Sequence, residues 1–257
     1  MSVDLTYIQG ETILMNNKER LSPFFGANLF NEKSKNKTAH QIANYLNKTS
    51  ESDIRESISK VETLMSYYRC AILEVETKFR VLNEQFSLLH EHNPIDSIKT
   101  RLKSPQSIRD KLSRKNLPLT LNSIENKLFD VAGIKVICSF VDDIYMLADC
   151  LLQQDDIRLI KKKDYIKNPK PNGYRSLHLI VEIPIFLQNE KRLMKVEVQL
   201  RTIAMEFWAN LEHKLRYKKN LSDETLEITT KELNECAEMS AILDSKMQKV
   251  RDVIEEN

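Results

Sequence analysis

The sequence predicts an α+β chain, with a middle of mixed strands and helices held between long helices at both ends. Three observations carry this reading. Ile58, Val61, Leu64, Met65, Tyr68, Ile72, Val75, Phe79, Leu82, Phe86 and Leu89 recur at steps of three and four. They form the stripe of one long amphipathic helix, stopped before Asn93-Pro94. Leu233, Cys236, Ser240, Leu243, Met247, Val250 and Ile254 repeat that spacing toward the other end, a seam able to pack on the first helix or on another subunit. Between the two, residues 131–140 are β-branched and apolar and read as a buried strand, while 176–183 and 193–201 read as a strand pair.

The other elements follow in order. Residues 1–55 are polar, rich in Asn, Lys, Ser and Thr, and weakly periodic. Their apolar clusters Ile13-Leu14-Met15 and Phe24-Phe25 suggest short docking pieces, so they are read as an N-terminal extension before one domain at 56–257. Residues 95–115 are basic and read as helix in two pieces around Ser104-Pro105. Residues 144–152 carry helical spacing, and 157–163 suit a strand leading into the irregular loop Asn168-Pro-Lys-Pro-Asn-Gly173. Residues 203–217 read as a helix, and the last helix covers about 226–255.

Composition narrows the function. At 257 residues the chain can bury a substantial core, and 41% hydrophobic with 30% charged residues suits a soluble globular protein. The formal charge of +2 is too balanced for coating nucleic acid by bulk charge. No apolar run is long enough to cross a membrane, and the first residues lack the pattern of a signal peptide, so a cytoplasmic location is expected. The cysteines, Cys70, Cys138, Cys150 and Cys236, form no CxxC pair and are expected to be reduced thiols. Only four glycines occur (Gly10, Gly26, Gly133, Gly173), at spacings that build neither a P-loop nor a dinucleotide fingerprint. Any nucleotide phosphates must then be gripped by side chains.

Three segments offer such grips. Strand alternation in Lys195-Val-Glu-Val-Gln-Leu-Arg201 puts Lys195, Glu197, Gln199 and Arg201 on one face, either solvated or lining a cleft. The neighbouring strand repeats the asymmetry with Ser176, His178, Ile180 and Glu182. In the basic segment, Ser107, Lys111 and Arg114 share a helix face, with Arg101 and Lys103 approaching from the preceding turn. A hydroxyl among four cations suits phosphate oxygens, Arg as a planar fork and Lys as a point charge, although a solvated basic helix gives the same pattern. Asp130, at the mouth of the buried strand, is either a turn residue or, with Glu197, one of two carboxylates for the Mg²⁺ that phosphoryl transfer requires.

Five motifs in order carry a resemblance. These are residues 101–114, Asp130-Val-Ala-Gly-Ile-Lys135, Lys163-Asp-Tyr-Ile-Lys-Asn-Pro-Lys170, Gly173-Tyr-Arg-Ser-Leu-His178 and Val196-Glu-Val-Gln-Leu-Arg-Thr202. From about residue 60 onward the chain resembles the synthetase domain of the RelA/SpoT alarmone enzymes, and in particular the small stand-alone synthetases. The resemblance implies a nucleotidyltransferase-like fold with a mixed sheet of about five strands. It implies transfer of pyrophosphate from ATP to the 3′-hydroxyl of GDP or GTP, giving ppGpp or pppGpp and AMP. By the same resemblance, Arg101, Lys103, Ser107, Lys111 and Arg114 hold ATP, and Asp130 and Glu197 bind Mg²⁺, with Glu197 activating the hydroxyl. Tyr174 stacks on guanine, Lys163, Lys170 and His178 meet the acceptor's phosphates, and Gln199 and Arg201 support the strand face. Lys135 stands where many relatives carry an Arg that stacks on adenine, so the charge is kept and the stacking plane is lost.

The resemblance also implies a homotetramer, and it points to synthesis alone. The sequence has no His-Asp dipeptide for a hydrolase metal site, and His40, His90 and His92 have no metal-ligand setting. Two other readings stand beside this one. A toxic synthetase would place pyrophosphate on the 3′ end of tRNA and needs a basic surface, which Lys161-Lys162-Lys163 resembles but the near-zero net charge does not favour. A non-catalytic nucleotide- or RNA-binding module would not need both Asp130 and Glu197.

Overall fold

The computed structural model describes residues 51–89, 93–216 and 222–256. The readings of residues 1–50 and of His40, His90 and His92 lie outside them. The elements, in chain order, are α1 (Glu51–Leu89), β1 (Ile95–Leu102), α2 (Pro105–Arg114), α3 (Leu121–Lys127), β2 (Ala132–Cys138) and α4 (Val141–Leu152). There follow β3 (Arg158–Asp164), β4 (Leu177–Phe186), β5 (Lys191–Thr202), α5 (Ile203–Arg216) and α6 (Asp223–Glu255). The strands form one mixed sheet in the order β1-β2-β5-β4-β3. The β2–β5 pair is parallel and the other three are antiparallel.

Helix α1 has the predicted stripe, and the stripe is buried: Tyr68, Ala71, Val75 and Phe79 join one core with Ile134, Val136, Val196, Val198, Leu200, Leu177, Leu179 and Val181 of the sheet. Helix α4 adds Ile144, Leu147, Ala148 and Leu151 to the same core. At about 25 cal/mol per Å² of apolar surface removed from water, this face supplies most of what drives folding. The sheet covers the predicted stripe of only one of the two long helices. Helix α1 is covered, whereas Leu243, Met247, Val250 and Ile254 of α6 are more than half exposed. Helix α6 turns a different stripe inward, with Ala237 and Asp244 buried.

Residues 95–102 are a correction to the sequence reading: they form edge strand β1 and not a helix. The register slips between Ile95 and Ser97, so Ile95 lies opposite Cys138 and Ile98 opposite Val136, with Asp96 as the extra residue. This bulge converts the two-residue period of a strand into a step of three, which read as helical periodicity. The second half is helical as expected. Ser104 caps α2 by accepting from the Ser107 N–H at 3.2 Å, and Pro105 opens the helix with no N–H to satisfy. The other edge, β3, is exposed along nearly its whole length and carries three consecutive lysines, a composition that discourages edge-to-edge pairing.

Candidate active site

Because side chains alternate across the pleat, the registers lay out two polar rows on the sheet face opposite the core. One runs Arg101, Gly133, Glu197, Ile180 and Lys161 across β1, β2, β5, β4 and β3. The next runs Lys99, Lys135, Gln199, His178 and Lys163. Glu197 thus sits mid-sheet with cations toward both edges. Gly133 leaves a notch beside it: a Cβ there would lie 3.7 Å from the Arg101 carbonyl and 3.9 Å from that of Glu197.

Asp130 comes to this face from the turn before β2. The Lys103 N–H donates to the Val131 carbonyl at 2.8 Å, which fixes the turn beside the end of β1. Asp130 Oδ2 then meets Lys103 Nζ at 2.9 Å and Lys111 Nζ at 2.5 Å. Burial acts most strongly to raise its pKa, but the links to Lys111 and Lys103 together outweigh it and hold the carboxyl below its usual value. Its other oxygen, Oδ1, is buried without a hydrogen-bond partner. An orphaned carboxylate oxygen next to a second carboxylate is a donor set that suits a hard divalent cation. Among the described residues no group of three or more His, Cys, Asp or Glu gathers for a metal, so a cation at this pair would take its remaining ligands from outside the protein.

Two clefts share Asp130 and Glu197 as a common wall. The first is completed by Lys99, Thr100, Arg101, Gly133, Ile134, Lys135 and Gln199. The second is completed by Lys111, Lys115, Lys127, Phe129, Lys161, Lys163, His178 and Ile180. The two carboxylates therefore stand where a group leaving one cleft would enter the other.

A hydrogen-bond chain reaches Glu197 from the loop carrying Tyr174. Arg201 Nη2 donates to the Tyr174 hydroxyl at 2.5 Å, and that hydroxyl lies 2.7 Å from His178 Nε2. His178 Nδ1 lies 3.5 Å from Glu197 Oε1, and Gln199 Nε2 donates to Glu197 Oε2 at 2.9 Å. Burial is the main influence on His178 and keeps its pKa below the usual histidine value, despite the pull of Glu197. A neutral imidazole with its proton on Nδ1 satisfies every contact: Tyr174 donates to Nε2, and Nδ1–H points to Glu197. Burial works to raise the Glu197 pKa, but His178 and Gln199 prevail and keep it ionised. The Tyr174 ring has Lys170 Nζ 4.5 Å from its centroid and packs edge-on to Tyr165 and His178.

The loop carrying Tyr174 is hung on the C-terminal helix. Gly173 has φ +84, and a Cβ there would fall 2.5 Å from the Ala237 Cβ, so no other residue fits without displacing α6. Trp208 Nε1 donates to the Leu233 carbonyl at 2.9 Å, tying α5 to α6 behind the loop. Thr202 Oγ1 donates to the buried Asp244 at 2.9 Å.

Of the residues expected from sequence, Asp130, Glu197, Arg101, Lys111, Lys135, Lys163, His178 and Gln199 line the clefts. Lys103 is buried against Asp130, and Lys170 and Arg201 gather on the ring of Tyr174. Ser107 and Arg114 form part of neither wall; the Ser107 hydroxyl accepts from Ser104 at 2.9 Å, and Arg114 Nε reaches back to the Asp110 carbonyl. Sequence reasoning missed Glu206. Its buried carboxylate meets Lys135 Nζ at 2.7 Å, Arg201 Nη1 at 2.8 Å and Lys99 Nζ at 3.4 Å. A Glu in the first turn of a helix is so commonly a dipole partner that its spacing carried no signal. Lys99 was hidden by the helical reading of β1.

Comparison with known proteins agrees with this geometry. Residues 100–222 match the family described as a region found in RelA / SpoT proteins. The GTP pyrophosphokinase YwaC of Bacillus subtilis is 44% identical over 195 residues, which span 76% of this chain and 92% of that protein. The crystal structure of small alarmone synthetase 2 from Bacillus subtilis superposes with a TM-score of 0.66 at 42% identity, covering 74% of this chain and 97% of that one. Small alarmone synthetase 1 from the same organism, bound to its product pppGpp, gives a TM-score of 0.68 at 33% identity, covering 77% and 99%. With a fold shared at these TM-scores and identity of this extent over most of both chains, the chain belongs to the RelA/SpoT family of GTP pyrophosphokinases.

Proposed function

We propose that this protein is a (p)ppGpp synthetase that transfers pyrophosphate from ATP to the 3′-hydroxyl of GDP or GTP and releases AMP. The observation that carries the reading is the shared wall: one pair of carboxylates, Asp130 and Glu197, with a cationic cleft on either side. ATP takes the first cleft, its base beside Lys135 and its phosphates running from Arg101 toward Asp130 and the lysines that hold it, Lys103 and Lys111, the latter on the wall of the second cleft. The guanosine nucleotide takes the second, its base on the Tyr174 face now covered by Lys170 and its phosphates toward Lys163, Lys170 and His178. The 3′-oxygen attacks the β-phosphorus as the bond from that phosphorus to the α-phosphate oxygen breaks. The hydroxyl proton passes to Glu197, whose ionised form is secured by His178 and Gln199. Mg²⁺ held by Asp130 and Glu197 would neutralise the charge that develops on the transferred group. Lys103 and Lys111 hold Asp130 by Oδ2 and leave Oδ1 without a protein partner.

The assembly proposed is a homotetramer, supported by the exposed α6 stripe and by Ile203, Phe207, Leu211 and Leu215, which are exposed at four-residue intervals along α5. A cytoplasmic location suits both substrates, and no described helix is long and apolar enough to cross a membrane.

The test is incubation of the purified protein with Mg²⁺, ATP and, separately, GMP, GDP, GTP or tRNA. AMP together with ppGpp or pppGpp is expected from GDP or GTP. Label appearing only on tRNA, or no AMP with any acceptor, would overturn the proposal. Light scattering should give a multiple of 30.0 kDa, reduced by Leu243→Glu with Met247→Glu.

A further inference from the structure

We infer that Tyr165 is a positioning residue of the acceptor site, its ring holding Lys163, Lys170, Tyr174 and His178 in one arrangement. The inference rests on the acceptor reading of those four residues and adds the side chain that organises them.

The four come from separate places: Lys163 from the end of β3, Lys170 and Tyr174 from the loop, His178 from β4. One ring meets them all. The Tyr165 centroid lies 5.9 Å from that of Tyr174 and 5.3 Å from that of His178, both edge-on. Lys170 Nζ stands 4.8 Å from it and Lys163 Nζ 6.0 Å. Tyr174 and His178 are also edge-on to each other at 5.8 Å, so the three rings fix one another's tilt.

A tyrosine beside a turn commonly packs into the core, and this one does not. Its neighbour Ile166 belongs to the core, whereas Tyr165 is half-buried and stands apart from it. Backbone bonds impose the difference. The Tyr165 N–H donates to the Ser176 carbonyl at 3.0 Å, one step past the pairing of Asp164 with Leu177. Alternation then puts Tyr165 on the same face as Lys163. Asp164 Oδ1 accepts from the N–H groups of Ile166 and Lys167, each at 3.0 Å, and turns the chain immediately afterwards. Tyr145 of α4 donates to that carboxylate at 3.1 Å and ties the turn to the helix. Tyr165 forms part of neither cleft wall, so it acts through its neighbours.

The chemistry accounts for a ring at this position. A carboxylate beside Lys163 and Lys170 would hold them but cancel the charge that a phosphate needs. An aromatic ring attracts both ammonium groups and leaves them cationic, ready for an anion.

The experiment measures kcat, the KM for GDP, GTP and ATP, and the melting temperature. It compares the wild type with Tyr165→Phe, Tyr165→Leu, Lys170→Met and Tyr165→Leu/Lys170→Met. Tyr165→Leu should raise the KM for GDP and GTP about tenfold, with the KM for ATP and the melting temperature little changed. Tyr165→Phe keeps the ring and should stay within about twofold of the wild type. The double variant should lose less than the product of the single losses, because the two residues act as a unit. An unchanged acceptor KM in Tyr165→Leu, or an equal loss in Tyr165→Phe, would overturn the inference while leaving the acceptor reading in place. So would fully additive losses, or a lower melting temperature with all three KM values raised alike, the mark of a structural role. A wild type that uses neither guanosine nucleotide would overturn the acceptor reading itself, and this inference with it.

Discussion

Arg201 Nη1 and Glu206 Oε2 lie 2.8 Å apart with both side chains more than nine-tenths buried, although one residue closes a strand and the other opens a helix. The same carboxylate holds Lys135, and the same guanidinium donates to Tyr174 and to Gln199 Oε1. One ion pair therefore links Lys135 at the edge of the first cleft with the loop carrying Tyr174. Glu206→Gln should leave Arg201 and Lys135 facing a neutral group; removing one member of a buried pair costs roughly 3–5 kcal/mol. A lower melting temperature is expected, with higher KM for ATP and for acceptor alike. An effect on one KM alone would mean that the pair serves only that cleft.

The chain Arg201–Tyr174–His178–Glu197 separates two roles of Tyr174. Tyr174→Phe keeps the ring and deletes the hydroxyl, so it should lower kcat with little change in acceptor KM. Tyr174→Ala also removes the stacking surface, worth roughly 1–3 kcal/mol, and should raise the acceptor KM while sparing that of ATP. Glu197→Gln removes the base and should cost about 10²–10⁴-fold in kcat with ATP binding retained, as calorimetry can check. Half of wild-type turnover in that variant would dismiss the assignment of Glu197.

Gly173→Ala tests the hinge of the acceptor loop. The added methyl meets Ala237 at 2.5 Å, at a φ of +84 that L side chains rarely adopt. Strain of roughly 1–3 kcal/mol is expected, appearing as a raised acceptor KM and a lower melting temperature. The double variant Gly173→Ala/Ala237→Gly should recover part of the loss by removing the clash. If it recovers nothing, the backbone conformation alone sets the requirement.

Acid should weaken the fold in two stages. His178, buried and held below its ordinary value of 6.5, binds fewer protons folded than unfolded once pH drops below that value. Stability therefore falls as pH falls through this window. Glu197 and Glu206, held below 4.5, and Asp130, held below 3.8, have the same sign and act lower on the scale. Asp244, raised above 3.8 by burial, opposes them in part. Melting temperature followed from pH 8 to 4 should begin to drop below about 6.5, and His178→Gln should remove that first stage. A wild-type curve flat to pH 5 would show that His178 is not the group responsible.

Alternation, composition and capping made most of the sheet legible: β2, β3, β4 and β5 follow runs whose period or apolar content matches their burial. The polar face of β5 was visible, and with it Glu197. Three things were not. The bulge between Ile95 and Ser97 disguised β1 as a helix, and Lys99 was lost with it. Glu206 matters through Lys99 and Lys135, partners far away in sequence, which no local spacing can reveal. Burial on α6 was also unreadable, because its regular 3–4 stripe gives the sign of an apolar face but not which side of the molecule it meets.

The parallel pairing of β2 with β5 has a consequence for how the protein is made. Asp130 and Glu197 come together only across that pair, and the α4–β3–β4 crossover lies between them in the chain. During synthesis the first carboxylate emerges long before the second, and the sheet's middle position stays vacant until β5 inserts between β2 and β4. Such a non-local closure is among the slower steps of folding. A nascent chain can thus display the lysines of α2 and the turn of Asp130 without any capacity to transfer pyrophosphate. Competence arrives in a single event, when the central strand takes its place and the Arg201–Glu206 pair is buried with it.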